Sequence, residues 1–105
     1  MGRLADEQII PAGYNLENNY PNPFNPTTRL KYSLPFESQV RLVVYNLLGQ
    51  EVKVLINGTQ RSGYYEAEWN ASGIASGIYF YRLDAASVSD PSKHFSQMRK
   101  MILIK

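Results

Sequence analysis

The sequence predicts an all-β domain, an antiparallel β-sandwich of about seven strands. Three observations carry this. Apolar and polar side chains alternate with a period of two in several short runs, as they must when successive residues leave opposite faces of a pleated backbone. The runs recur roughly every ten residues with turn signals between them, the spacing of sandwich strands. Eight tyrosines and one tryptophan occur without any long helical apolar pattern, which favours strand over helix.

The organising stretch is residues 63–83. Tyr65, Ala67 and Trp69 point one way, and Tyr64, Glu66 and Glu68 the other. Further on, Tyr79, Tyr81, Leu83 and Ala85 share a face, while Arg82 and Asp84 mark the opposite face as outward. The small, glycine-punctuated residues 70–77 connect the two strands. Trp69 and two tyrosines therefore meet in one core.

The other elements follow in order. Residues 1–10 show no period and read as a lead-in or a first edge strand, with the natural chain expected to extend upstream. Residues 1–13 are taken together as lead-in or linker, and residues 14–105 as the domain. Tyr14, Asn15 and Leu16 form a short strand. Pro21, Pro23 and Pro26 each fix a backbone angle and remove a donor, so residues 18–28 are neither helix nor central strand. They read as a rigid loop anchored by Phe24, the alternative being a proline-rich linker.

Leu30, Tyr32 and Leu34 alternate with Arg29, Lys31 and Ser33 in the next strand, which Pro35 ends. Val40, Leu42 and Val44 alternate with Arg41, Val43 and Tyr45. Residues 46–50 turn the chain, with Gly49 able to take a positive φ. Val52 and Val54 belong to a short strand, and Asn57-Gly58 is a strong two-residue turn signal. Residues 86–92 are polar and read as a longer surface loop. The last strand spans residues 95–104. Its faces, Arg99, Met101, Leu103 and Lys105 against Lys100, Ile102 and Ile104, both mix charge with apolar residues, so alternation leaves the inward side open.

The 105 residues suffice for one domain with a modest core. A net charge of +2 is too small to suggest nucleic acid. The absence of cysteine excludes disulfides and thiolate metal sites but leaves the compartment open. No apolar run approaches the roughly 20 residues of a membrane-spanning helix, and no signal-peptide core follows the first residues.

No catalytic or metal-binding constellation stands out, and no cofactor is implied. His94 is the only histidine and sits beside a polar loop, where it reads as solvated. Glu66 and Glu68 are neighbours on one strand face, whereas a glycosidase needs carboxylates across a cleft. The acids are too scattered for a calcium loop. Asn57-Gly58-Thr59 and Asn70-Ala71-Ser72 match the glycosylation triplet, but turns explain both. Tyr45, Tyr64 and Phe80 are expected at the surface, where they could stack on sugars or bases, with cross-strand aromatic pairing as the plainer reading. Trp69 reads as a core anchor. The segment from Lys93 to Lys105 carries Lys93, Arg99, Lys100 and Lys105 and no acid, while Asp6, Glu7 and Glu17 oppose Arg3 near the start. A basic final strand is either a handle for a partner or an edge guarded against aggregation.

Four blocks then resemble a known family. Asn19-Tyr20-Pro21-Asn22-Pro23-Phe24-Asn25-Pro26-Thr27-Thr28 is similar to the opening signature of the type A C-terminal sorting domain of the bacterial type IX secretion system. Val44-Tyr45-Asn46-Leu47-Leu48-Gly49-Gln50-Glu51-Val52 is similar to its central motif. Gly63 through Trp69, then Gly77-Ile78-Tyr79-Phe80-Tyr81-Arg82-Leu83, resembles its third. Arg99-Lys100-Met101-Ile102-Leu103-Ile104-Lys105 resembles its terminal motif. In this order the four blocks are specific, and they span about residues 14–105. The immunoglobulin-like domain of flagellar hook-capping proteins shares the Trp and Gly-x-Tyr pattern and is the family most easily confused with it.

The resemblance implies an immunoglobulin-like sandwich that acts as a non-catalytic address label at the end of secreted enzymes and adhesins. An outer-membrane translocon would read it, and a sortase-like cysteine peptidase would remove it and join the upstream cargo to surface lipopolysaccharide. The protein would be exported, in the periplasm in transit and then at the cell surface or outside. Arg99, Lys100, Ile102, Ile104 and Lys105 would carry recognition, and cleavage would fall before Tyr14. Pro21, Asn22, Pro23, Phe24, Pro26, Gly49, Trp69, Gly77, Tyr79 and Tyr81 would be structural. The polar loop before His94 departs from a plain hairpin. The alternatives are a carbohydrate- or protein-binding module, or a structural spacer of a surface protein.

Overall fold

The computed structural model describes residues 10–105. Seven strands form two antiparallel sheets and there is no helix among the described residues. One sheet holds β1 (Asn15–Leu16), β2 (Thr27–Leu34) and β5 (Gly63–Asn70) in the order β1-β2-β5. The other holds β3 (Ser38–Tyr45), β4 (Glu51–Gln60), β6 (Gly77–Ser87) and β7 (His94–Leu103) in the order β4-β3-β6-β7. The all-β sandwich expected from alternation is the observed architecture. The reading of residues 1–10 lies outside the described residues except for Ile10, which is exposed.

The core is built from the inward residues of both sheets. Leu30, Tyr32, Leu34, Ala67 and Trp69 face Val40, Leu42, Val44, Tyr79, Tyr81 and Leu83. Trp69 is central: its ring lies 5.7 Å from that of Phe24 and 5.7 Å from that of Tyr79. Such tilted and edge-on contacts suit the aromatic quadrupole. Each buried tyrosine has an outlet for its hydroxyl, as burial of an unpaired O–H would be costly. Tyr81 donates to the Glu17 carbonyl at 2.6 Å, Tyr79 to the Ala75 carbonyl at 2.6 Å, and Tyr32 to Gln60 Oε1 at 2.6 Å. Burial pushes the phenols of Tyr32 and Tyr81 up to about 12.

Four local expectations are corrected. Asn57-Gly58 is not a turn but lies inside β4, opposite Arg41 and Val40. A tight hairpin there would pair the flanking strands in one sheet, whereas β5 pairs with β2 in the other sheet. The chain therefore continues along β3 and crosses between sheets at Arg61-Ser62, long-range pairing overriding the local preference. β4 is accordingly ten residues long rather than short. The register slips between Leu42 and Val43 and between Val44 and Tyr45, which explains why its alternation fades. Ala86 and Ser87 still belong to β6, with Ala86 opposite His94, so the polar loop is only residues 88–93. Finally, Val43 is buried although it faces away from the main core, between Val54 and Arg82.

Candidate partner-recognition surface

β7 lies at the edge of its sheet, and its two sides are now distinct. Met101 and Leu103 are fully buried in the core. Lys100 is exposed, Ile102 is half-buried, Ile104 is 50% exposed and Lys105 is exposed. The apolar core side holds the strand down, and the other side presents a lysine between aliphatic side chains.

The proline loop fixes the free edge of this strand. The Phe24 N–H donates to the Ile102 carbonyl at 2.9 Å, and the Ile104 N–H donates to the Phe24 carbonyl at 3.0 Å. The Ile102 N–H donates to Asn22 Oδ1 at 3.0 Å. The Phe24 side chain is 1% exposed and reaches Trp69. The loop's X–Pro bonds at Pro21, Pro23 and Pro26 are cis. Pro26 accepts from the Ala71 N–H at 2.9 Å, tying the loop to the end of β5. Beneath it, Asn19 Nδ2 donates to the Pro21 carbonyl at 3.2 Å and to Thr28 Oγ1 at 3.0 Å, and Thr28 in turn donates to Pro21.

Arg99 differs from its neighbours. It shares the core side of β7, and its Nε donates to the Leu16 carbonyl at 2.7 Å while Nη1 donates to Asn18 Oδ1 at 3.1 Å. A guanidinium can satisfy two acceptors at once in this way. Arg99 therefore straps β7 to the segment around β1 in the opposite sheet.

The remaining structural candidates sit as follows. Gly49 has φ +79°, in a turn where Asn46 Oδ1 accepts from the N–H groups of Leu48 and Gln50 at 2.9 and 3.0 Å. Gly77 opens β6, and Tyr79 and Tyr81 are buried. Of the aromatics expected at the surface, Tyr64 is 65% exposed. Tyr45 and Phe80 are half-buried and directly opposite one another in the β3–β6 ladder, a cross-strand pair rather than a free stacking platform. His94 is exposed, as are Glu66 and Glu68, with Glu66 3.4 Å from Arg29. Asn70 Oδ1 accepts from the backbone and hydroxyl of Ser72, which is a turn; Asn57 of the other glycosylation triplet is in a strand. No group of three or more His, Cys, Asp or Glu placed to hold a metal occurs among the described residues. None of the described helices is long and apolar enough to cross a membrane, since there are none.

Two residues that the sequence places in a turn, with no role of their own, stand out here. Leu47 is 65% and Leu48 81% exposed at the tip of the turn after β3. Two leucines inside an Asn-to-Gly turn were the available signal, because turn tips face solvent.

With the proline loop, the Gly49 turn, Trp69 and β6 all in place, one comparison is decisive. The family model described as the secretion system C-terminal sorting domain matches residues 18–98. The chain belongs to that family. The sorting domain's matched span takes in the proline loop, β2 through β6 and the first half of β7. It stops before Arg99, so the five candidate recognition residues lie beyond it. A sorting domain of this type directs its protein to the type IX secretion machinery and so to the cell surface or exterior. No curated protein is a significant match to the chain.

Proposed function

We propose that the sorting domain is a non-catalytic label read by the type IX outer-membrane translocon and then by a sortase-like peptidase, through the outward side of β7. Lys100, Ile102, Ile104 and Lys105 make the contact, and Arg99 fastens the strand. The observation that carries this reading is the division of β7 into a buried side, Met101 and Leu103, and an accessible side with Lys100 and Ile102, continued past the strand by the exposed Ile104 and Lys105. The domain begins near Tyr14, which packs on Phe36 and stacks on Phe95. The peptidase cuts the lead-in before it, releasing an upstream cargo that crosses the periplasm and ends at the cell surface.

Deleting residues 99–105 would strip Met101 and Leu103 from the core, so point changes are the sharper test. The chain is fused behind a reporter in a host that carries the system, with Lys100→Glu and Ile104→Ser introduced together. Trp69 fluorescence reports folding. The expected result is an intact fold with the reporter retained in the cell. Normal export by the folded variant would defeat the reading.

A further inference from the structure

The outer face of the β4-β3-β6-β7 sheet changes character along its length. Residues directly opposite in a ladder share a face, so the registers define rows. The first row is Thr59, Gln39, Ala86 and His94; the next is Asn57, Arg41, Asp84 and Ser96. Then come Val54, Val43, Arg82 and Met98, followed by Glu51, Tyr45, Phe80 and Lys100, and last Ile78 with Ile102. One end is polar and the other apolar. The apolar end is where the Leu47-Leu48 tip stands. Leu47 lines a groove of about 340 Å³ with Tyr45, Phe80 and Met98. On its other side it lines a second groove, of about 210 Å³, with Ile78. Exposure here is concentrated: Ile78 is 37%, Met98 50% and Ile104 50% exposed, beside Leu48 at 81%.

The charges at this end are unbalanced. Arg41 pairs with Glu51 at 2.9 Å and Arg82 with Asp84 at 3.1 Å. No ion pair among the described residues involves Lys100 or Lys105. Among the described residues this surface is thus apolar, with two lysines outside any ion pair.

We infer that Leu47 and Leu48, with Ile78, Met98 and Ile104, form the second half of the recognition surface, and that its occupant is a protein surface offering apolar side chains beside carboxylates. This rests on the proposed role of β7. Grooves flanking Leu47 accept protruding side chains, which a protein supplies. Two lysines fall short of the clusters of about four to eight that mark binding to anionic lipid. A second copy would bring the same lysines against one another across a two-fold axis.

The test uses the same reporter fusion with Leu47→Ser and Leu48→Ser together. Both side chains are exposed, so the unfolding temperature stays unchanged. Export falls by about tenfold or more, the loss expected when anchor side chains of an interface are removed. The unaltered chain neither floats with vesicles containing phosphatidylglycerol nor sediments as a dimer. Unchanged export by the leucine variant, while the Lys100→Glu, Ile104→Ser variant is retained, overturns this inference and leaves the β7 reading standing. Normal export by both variants overturns the two together. Flotation or dimerisation that the leucine changes abolish overturns the assignment of a protein occupant.

Discussion

Phe24 and Leu103 sit side by side in a parallel bridge, although every ladder in both sheets is antiparallel. The bridge lets a proline-rich loop act as a partial eighth strand on the edge of β7. It also puts the loop's one large apolar side chain into the core beside Trp69.

Phe24→Ala should therefore cost roughly 3–5 kcal/mol, the range for emptying a buried aromatic site. Asn22→Ala should cost only about 1 kcal/mol, since it removes one hydrogen bond. Its signature would be local: faster amide exchange at Ile102, whose N–H it accepts. Urea unfolding and hydrogen exchange check both. Equal stability losses in the two variants would contradict this account of the loop.

Arg99→Lys should lower stability by roughly 1–2 kcal/mol, because one ammonium cannot reproduce the forked donation to Leu16 and Asn18. Lys100→Ala should change stability by no more than about 0.5 kcal/mol, as expected for a surface change. Thermal unfolding of the two variants separates fastening from contact on adjacent residues.

Gly49→Ala should cost about 1–2 kcal/mol, since φ +79° is a left-handed conformation and the space around the new methyl is open. Gly58→Ala should be neutral, or stabilising by about 0.4–1 kcal/mol, because Gly58 lies in a strand with room for a Cβ. Were Asn57-Gly58 a tight turn, the second change would destabilise as the first does. Denaturant midpoints decide.

Alkali should unfold the domain through its buried phenols. Burial raises Tyr32 and Tyr81 from 10.0 to about 12 in the folded state, so the folded protein holds protons that the unfolded chain has released. Their contribution to stability is fully present below pH 10 and is lost as pH climbs toward 12. Tyr81→Phe should make this decline shallower, while also costing about 1 kcal/mol at neutral pH for the bond to Glu17. Phenolate absorbance and unfolding followed across the alkaline range test it.

The strands with one wet face were legible because burial there follows parity. In β5 and β6 every residue of the set Ala67, Trp69, Tyr79, Tyr81, Leu83 and Ala85 is buried, as alternation requires. The inward side of β7 was not legible, because a core-side position holds Arg99 and the outward side holds two isoleucines. The arginine is tolerated there because backbone and side-chain oxygens of the opposite sheet receive its fork. Asn57-Gly58 misled because a two-residue preference is weak against a ladder that runs the length of β3. The docking of the proline loop on β7 was invisible because main-chain hydrogen bonds leave no residue signature. Leu47 and Leu48 received no role of their own for a related reason: a turn motif explains its asparagine and glycine but is silent about what its tip displays.

Met101 and Leu103 complete the interior, and they follow every other core residue in chain order. Without them Tyr79, Tyr81 and Leu83 have no neighbouring strand on one side, and the proline loop has no edge to close upon. Pairings this distant along the chain also form slowly. The sandwich is therefore closed by β7: without it, β6 lacks one neighbour and the proline loop lacks its partner.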